Sequence, residues 1–157
     1  MAPQLWLLRH GEAVPHESKP DADRELTPRG ERQAIAAGEG LAKLGVEFDA
    51  CYTSPKVRAR DTARLACRAL NIEPEEDDSL SDGFDREDAL ELLGRHGADA
   101  RVLVVGHEPS FSQVVHDLTG ARIDFKKGGV AAVRAERTGG ELLALLRPKE
   151  LESLART

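Results

Sequence analysis

Two continuous apolar runs constrain the fold of this chain more than any other feature: Leu5-Trp6-Leu7-Leu8 and Val102-Leu103-Val104-Val105. Each is one strand long and neither alternates with polar residues, which is the pattern of a strand buried on both faces rather than one. Both also end abruptly in chemistry. The first stops at Arg9-His10-Gly11 and the second at Gly106-His107-Glu108-Pro109. Strands packed for stability alone seldom end in a cation and an imidazole.

The rest of the chain alternates strand and helix patterns around these runs. Residues 4–8 form the first predicted strand, and a polar loop over 12–25 follows, longer than the roughly 12 residues usual for a structureless connection, so it is expected to border a functional pocket. Thr27 then caps a helix with Pro28 in its first turn, and Ile35, Leu41 and Leu44 supply its apolar face up to Gly45. A short strand is predicted over 48–53, with Ser54-Pro55 opening a helix over 56–70 that carries Val57, Ala63, Leu65 and Leu70. The acidic stretch Glu73-Pro74-Glu75-Glu76-Asp77-Asp78 reads as a solvated loop or edge element. Further on come a helix over 86–96, the strand over 101–105 and a helix to Leu118. Two late strands over 129–135 and 142–146 are joined by a turn at Thr138-Gly139-Gly140, the pattern of an antiparallel hairpin. The prediction is a single domain over 1–157 of α/β class. It is a three-layer sandwich with a mainly parallel central sheet, helices on both faces and a late antiparallel hairpin.

Composition removes several classes of function. The chain has 157 residues, 32% of them charged, and a formal net charge of -6. That balance lacks the basic footprint of a nucleic-acid or anionic-membrane binder. No apolar run approaches the roughly 18 residues of a membrane span, and Met1-Ala2-Pro3 leads directly into a strand, so a soluble cytoplasmic protein is expected. Cys51 and Cys67 are too widely spaced for a Cys-x-x-Cys pair and read as buried apolar thiols. Nothing in the pattern demands more than a monomer.

In an open α/β sheet, ligands collect outside the carboxyl ends of the parallel strands. His10 and His107 are both delivered there, Arg9 comes with the first, and Arg58 falls on the first turn after the strand that ends at Thr53. Two forked guanidiniums and two imidazoles make a constellation for a tetrahedral dianion. A neutral imidazole is a competent phosphoryl acceptor when one nitrogen keeps its proton on an acceptor and the other points its lone pair at phosphorus. In this reading one histidine attacks, the other stays protonated to stabilise the transferring group, and Gly11 lets the backbone approach the phosphate. The helix N-termini near Ser54 and Ser110 add a positive dipole. Either histidine alone would read as structural, as His16, His96 and His116 do. Metal ligation is disfavoured because Arg9 repels a cation and no Cys or second His stands at ligand spacing.

Four segments together carry a resemblance: Arg9-His10-Gly11-Glu12, Leu26-Thr27-Pro28-Arg29-Gly30, Ser54 through Ala63, and Gly106-His107-Glu108-Pro109. They resemble the histidine phosphatase superfamily, which includes the cofactor-dependent phosphoglycerate mutases, over about two-thirds of the chain. The short length is most similar to the small bacterial protein phosphohistidine phosphatases. The resemblance implies that His10 is the phospho-accepting nucleophile and that Arg9 and Arg58 bind phosphate. It further implies that His107 is the second pocket histidine, that Gly11 and Glu12 complete the substrate-binding set, and that no metal or organic cofactor is needed.

One departure bears on the substrate. Many phosphomonoesterases and mutases of that superfamily use the glutamate of a Leu-x-Glu segment to protonate the leaving alkoxide, whereas this chain has Leu80-Ser81-Asp82. Asp82 is one methylene shorter. A weak acid tilts the choice from phosphate esters toward the P–N bond of phosphohistidine, because imidazole, with a conjugate-acid pKa of about 6.5, leaves more easily than an alkoxide. The expected partner is therefore a phosphorylated protein carrying phosphohistidine. The alternatives are a small phosphorylated metabolite hydrolysed with Asp82, Glu12 or Asp78 as acid, and a non-catalytic phosphate-binding module.

Overall fold

The computed structural model describes residues 2–157. One six-stranded sheet organises the chain: β1 (Gln4–Arg9), β2 (Ala50–Thr53), β3 (Pro74–Glu76), β4 (Arg101–Gly106), β5 (Val130–Glu136) and β6 (Gly139–Leu146). The spatial order is β3-β2-β4-β1-β5-β6. The first four are mutually parallel, and β5 and β6 are antiparallel to their neighbours. The α/β sandwich with a mainly parallel sheet and a late hairpin is the fold observed. The acidic stretch resolves into the edge strand β3, whose few residues and exposed glutamates suit a sheet margin. Among the described residues no helix is long and apolar enough to cross a membrane.

Two cores explain why the central runs do not alternate. Leu5, Leu7, Val102 and Val104 face one cluster with α3 (Arg86–Gly94) and α4 (Ser110–Thr119). Trp6, Leu8, Leu103 and Val105 face the other, formed with α1 (Pro28–Lys43), α2 (Val57–Leu70) and α5 (Pro148–Ala155). Alternate side chains thus point to opposite faces and both are covered. Cys51 and Cys67 are free thiols buried in the second cluster.

Several expectations about the elements change. The apolar face of α1 keeps Leu41, which is fully buried, but Ile35 and Leu44 are 39% and 47% exposed. The buried face uses small residues instead, Ala34, Ala37 and Gly38 among them. A Cβ on Gly38 would fall 2.2 Å from the Ala66 carbonyl oxygen, so α1 and α2 pack backbone to backbone where leucines would hold them apart. The hairpin turn contracts to Arg137-Thr138, because Glu136 already pairs with Gly139. α3 ends two residues earlier than expected, before His96. The C-terminal helix α5 lies beyond the predicted elements, yet it carries a start signal in Pro148 and in Glu150, whose carboxylate accepts from the Arg147 N–H. Its Leu151 is fully buried beside Gly40 of α1.

Candidate active site

Strand register brings the two histidines together. Arg9 on β1 lies opposite Gly106 on β4, so one step further His10 and His107 leave adjacent parallel strands side by side, with ring centroids 5.2 Å apart. On the other flank of β4, Thr53 of β2 pairs with Val105, which sets Ser54 beside His107. Arg58 follows in the first turn of α2. All four expected residues therefore gather at the carboxyl ends of three parallel strands.

The turn carrying His10 is pinned from several directions. Its N–H donates to the Gly106 carbonyl at 3.1 Å and that of Gly11 to Thr62 Oγ1 at 3.1 Å, while the Thr62 hydroxyl donates to the Arg58 carbonyl at 2.7 Å. Thr62 thus ties the nucleophile turn to the helix that holds Arg58. Nothing in the sequence reading singled it out, although a polar residue one turn after Arg58 on the buried face of α2 is a visible signal. Gly11 has a second reason for being glycine beside the expected one. A Cβ there would fall 2.5 Å from the Gly30 carbonyl oxygen, and one on Gly30 would fall 2.0 Å from that of Glu12. The turn and α1 need the close approach of two glycines, and the Gly11 N–H is already committed to Thr62.

His10 is buried, with Nδ1 2.7 Å from the Gly11 carbonyl oxygen. A carbonyl only accepts, so Nδ1 carries the proton and the lone pair lies on Nε2. Burial, with the charges of His107, Arg58 and Arg9 acting against the Gly11 hydrogen bond, lowers its pKa to about 3. The imidazole is neutral at any physiological pH. His107 Nε2 lies 2.8 Å from Ser54 Oγ, which also accepts from the Lys56 N–H. Burial first, then Arg58 and Lys56, lower the His107 pKa to about 4. His107 is therefore neutral in the ligand-free pocket, whereas the protonated form expected from the sequence concerns the state with a phosphoryl group bound. In the tautomer where the Ser54 hydroxyl donates to Nε2, the Nδ1–H is a donor without any positive charge.

The guanidiniums are held from behind. Arg9 Nη1 donates to the Phe125 carbonyl at 2.7 Å, and Arg58 Nη1 donates to the Asp21 carbonyl at 2.7 Å with Nη2 3.3 Å from Asp21 Oδ2. Among the described residues, three buried side-chain nitrogens have no hydrogen-bond partner: Arg9 Nε, Arg58 Nε and His107 Nδ1. Each such buried group costs about 1–3 kcal/mol, a cost that a ligand's acceptor oxygens would relieve.

The long loop over 12–25 does border this pocket, through Asp21, which the sequence reading did not single out. Its carboxylate meets Lys56 Nζ at 3.1 Å, Arg24 Nη1 at 3.0 Å and Arg58 Nη2 at 3.3 Å. Partial burial pushes its pKa up, but the hydrogen bonds from Lys56 and Arg24 and the charge of Arg58 prevail and hold it well below the ordinary carboxylate range. Asp82 stands on the far side of Lys56, 84% exposed, with Oδ1 2.8 Å from Nζ. That hydrogen bond and charge lower its pKa, opposite to what a proton donor at neutral pH requires. The Glu12 carboxylate accepts from the Thr27 hydroxyl at 2.7 Å, and its N–H is taken by Gln33 at 2.8 Å. Of the remaining histidines, His96 holds the Tyr52 hydroxyl at 2.8 Å, and His16 and His116 lie by surface carboxylates.

The strand ends thus bring together an imidazole with Nε2 free, two immobilised guanidiniums and a second imidazole, a set chemically suited to a tetrahedral oxyanion. A protein of Picosynechococcus sp. whose function is uncharacterized is 32% identical across 94% of this chain and 98% of its own length. The structure of the protein histidine phosphatase SixA complexed with tungstate superposes with a TM-score of 0.84 at 26% identity, covering 94% of this chain and 99% of that one. A SixA structure from Nakamurella multipartitia gives a TM-score of 0.73 at 27% identity over 94% and 97% of the two chains. Residues 5–84 match the family model of the histidine phosphatase superfamily, branch 1, and the chain belongs to that family.

Proposed function

We propose that this protein is a phosphatase that works through a phosphohistidine intermediate on His10 and that its substrate is phosphohistidine on another protein. The observation that carries the reading is the set of partnerless nitrogens, Arg9 Nε, Arg58 Nε and His107 Nδ1, grouped with a neutral His10 whose tautomer leaves Nε2 free. Tungstate, which the similar SixA structure holds, is a tetrahedral oxyanion of the kind such donors would bind.

The reaction runs in two steps and uses side chains alone. His10 Nε2 attacks phosphorus in line as the P–N bond of the substrate breaks. A substrate imidazole already protonated on its other nitrogen departs neutral, so the enzyme need not supply a proton. Water then attacks the His10 phosphoramidate, inorganic phosphate leaves, and the Nδ1-protonated ring is restored. Arg9, Arg58 and the His107 Nδ1–H balance the charge spread over the equatorial oxygens.

An ester substrate would need an acid, and the ionised, lysine-paired Asp82 argues against one. A non-catalytic phosphate-binding module would have no use for a tautomer that frees Nε2. The test is labelling with substrate radiolabelled in phosphate, quenched in alkaline detergent: the expected adduct survives alkali, is lost on acid treatment and is absent in His10→Ala. Turnover of a phosphohistidine peptide is expected to exceed that of p-nitrophenyl phosphate. The reverse order would reject the substrate assignment, and an adduct surviving in His10→Ala would reject the nucleophile.

A further inference from the structure

Beside the phosphate pocket, and sharing Arg9 with it, lies an open cleft of about 570 Å³. Its walls bring six cations, Arg9, Arg29, Lys126, Lys127, Arg147 and Lys149, against the carboxylates of Glu12 and Asp124. In a chain of net charge -6 this is a strong local reversal of sign. The cations come from four places: Arg9 from the end of β1, Arg29 from α1, Lys126 and Lys127 from the loop before β5, and Arg147 and Lys149 from the start of α5. We infer that this cleft docks an acidic stretch of the phosphoprotein whose phosphorylated histidine enters the adjoining pocket, an inference that rests on the phosphohistidine reading above.

Exposure and spacing favour a polypeptide over a metabolite. A small-molecule site converges a few buried polar groups on its ligand. Here Arg29, Lys126, Lys127, Arg147 and Lys149 are all exposed and stand on separate segments, and the buried Gln33 spends its Oε1 on the Glu12 N–H. Three of the cations have local carboxylates, Arg29 with Glu12, Lys126 with Asp124 and Arg147 with Glu150. Lys127 and Lys149 make no ion pair among the described residues. Exposed, dispersed charge of one sign steers and orients a partner of the opposite sign. The shared Arg9 gives this cleft a direct bearing on the reaction. Its Nη1 is held by the carbonyl of Phe125, itself a wall of the cleft, so a segment lying there passes next to the phosphoryl site.

The test compares two phosphohistidine peptides of equal length on the whole protein, one flanked by Asp and Glu and the other by Asn and Gln. The acidic peptide is expected to show roughly tenfold higher kcat/KM, mainly through KM. That advantage should approach parity near 0.5 M salt, where the Debye length is only about 4 Å. In Lys127→Glu/Lys149→Glu the preference should vanish or invert. Equal kcat/KM for the two peptides in the unaltered protein, or a preference that survives charge reversal, overturns the docking cleft and leaves the phosphohistidine reading intact. If neither peptide is turned over while p-nitrophenyl phosphate is, that reading fails. Fluorescence anisotropy with labelled, unphosphorylated versions of both peptides then decides the cleft: tighter binding of the acidic one, lost on charge reversal, supports it, and equal binding overturns it. A charge effect confined to metabolites with two anionic groups, absent for both peptides, also overturns it.

Discussion

The pocket around His10 and the cleft beyond Arg9 handle negative charge in opposite ways. In the pocket, Arg58 and His10 are buried, both imidazoles are neutral, and the guanidiniums are fixed through main-chain carbonyls of Phe125 and Asp21. In the cleft, lysines and arginines stand in water and several are answered by a nearby carboxylate. Burial makes each interaction strong and each misplacement expensive, whereas exposed charge is screened and contributes mainly to encounter. On the reading proposed above, the difference separates a place where bonds would change from a place where a partner would be recognised. Disturbing the first should therefore cost orders of magnitude, and disturbing the second should cost factors of a few to about ten.

The sharpest way to break the comparison is at the nucleophile: His10→Ala should lower kcat by about 10,000-fold or more, measured with a phosphohistidine peptide. Arg58→Ala should follow with a loss of roughly 100- to 1,000-fold, since it removes a pre-oriented donor from the transferring group. Asp21→Asn probes the support behind Arg58. A loss of about tenfold carried by KM, largely restored in Asp21→Glu, would identify a positioning residue; an unchanged KM would mean that the main-chain carbonyl of Asp21 suffices. Asp82→Asn should change phosphohistidine turnover by less than about threefold, and a large loss would reinstate an acid role.

Stability carries the same contrast in its dependence on pH. The folded pKa values of His10 and His107, about 3 and about 4, lie below the ordinary histidine value, so the unfolded chain takes up protons first as pH falls. Their contribution is fully present above about pH 6.5 and is lost as pH drops through that value toward the folded ones. The melting temperature should fall between pH 7 and pH 4.5, and a His10→Asn/His107→Asn variant should flatten that fall. An equally steep slope in the variant would place the titration elsewhere.

Most of the fold was legible because its signals are local. Val102-Leu103-Val104-Val105 has no polar face, and a strand of that kind needs cover on both sides. Thr27-Pro28 caps and opens α1 as expected, whereas Ser54-Pro55 does not cap α2, whose N-cap is Lys56, and the Ser54 hydroxyl faces His107 instead. The buried face of α1 was misread because leucines advertise burial and glycines do not. Gly38 against Ala66 is a contact whose value lies in an absent side chain. For the same reason the approach of Gly11 to Gly30 went unforeseen.

Residue chemistry along the chain was enough to determine an α/β sheet whose strand ends carry Arg9, His10, Arg58 and His107, because strand burial and strand endings are written in consecutive residues. Only the tertiary structure decided the rest. The charge state of His107, the hold of Asp21 on Arg58 and the gathering of five further cations beside Arg9 all depend on groups distant in sequence meeting at a few ångströms. Electrostatic energy is set by distance and by exclusion of water, and neither is a property of the chain before it folds.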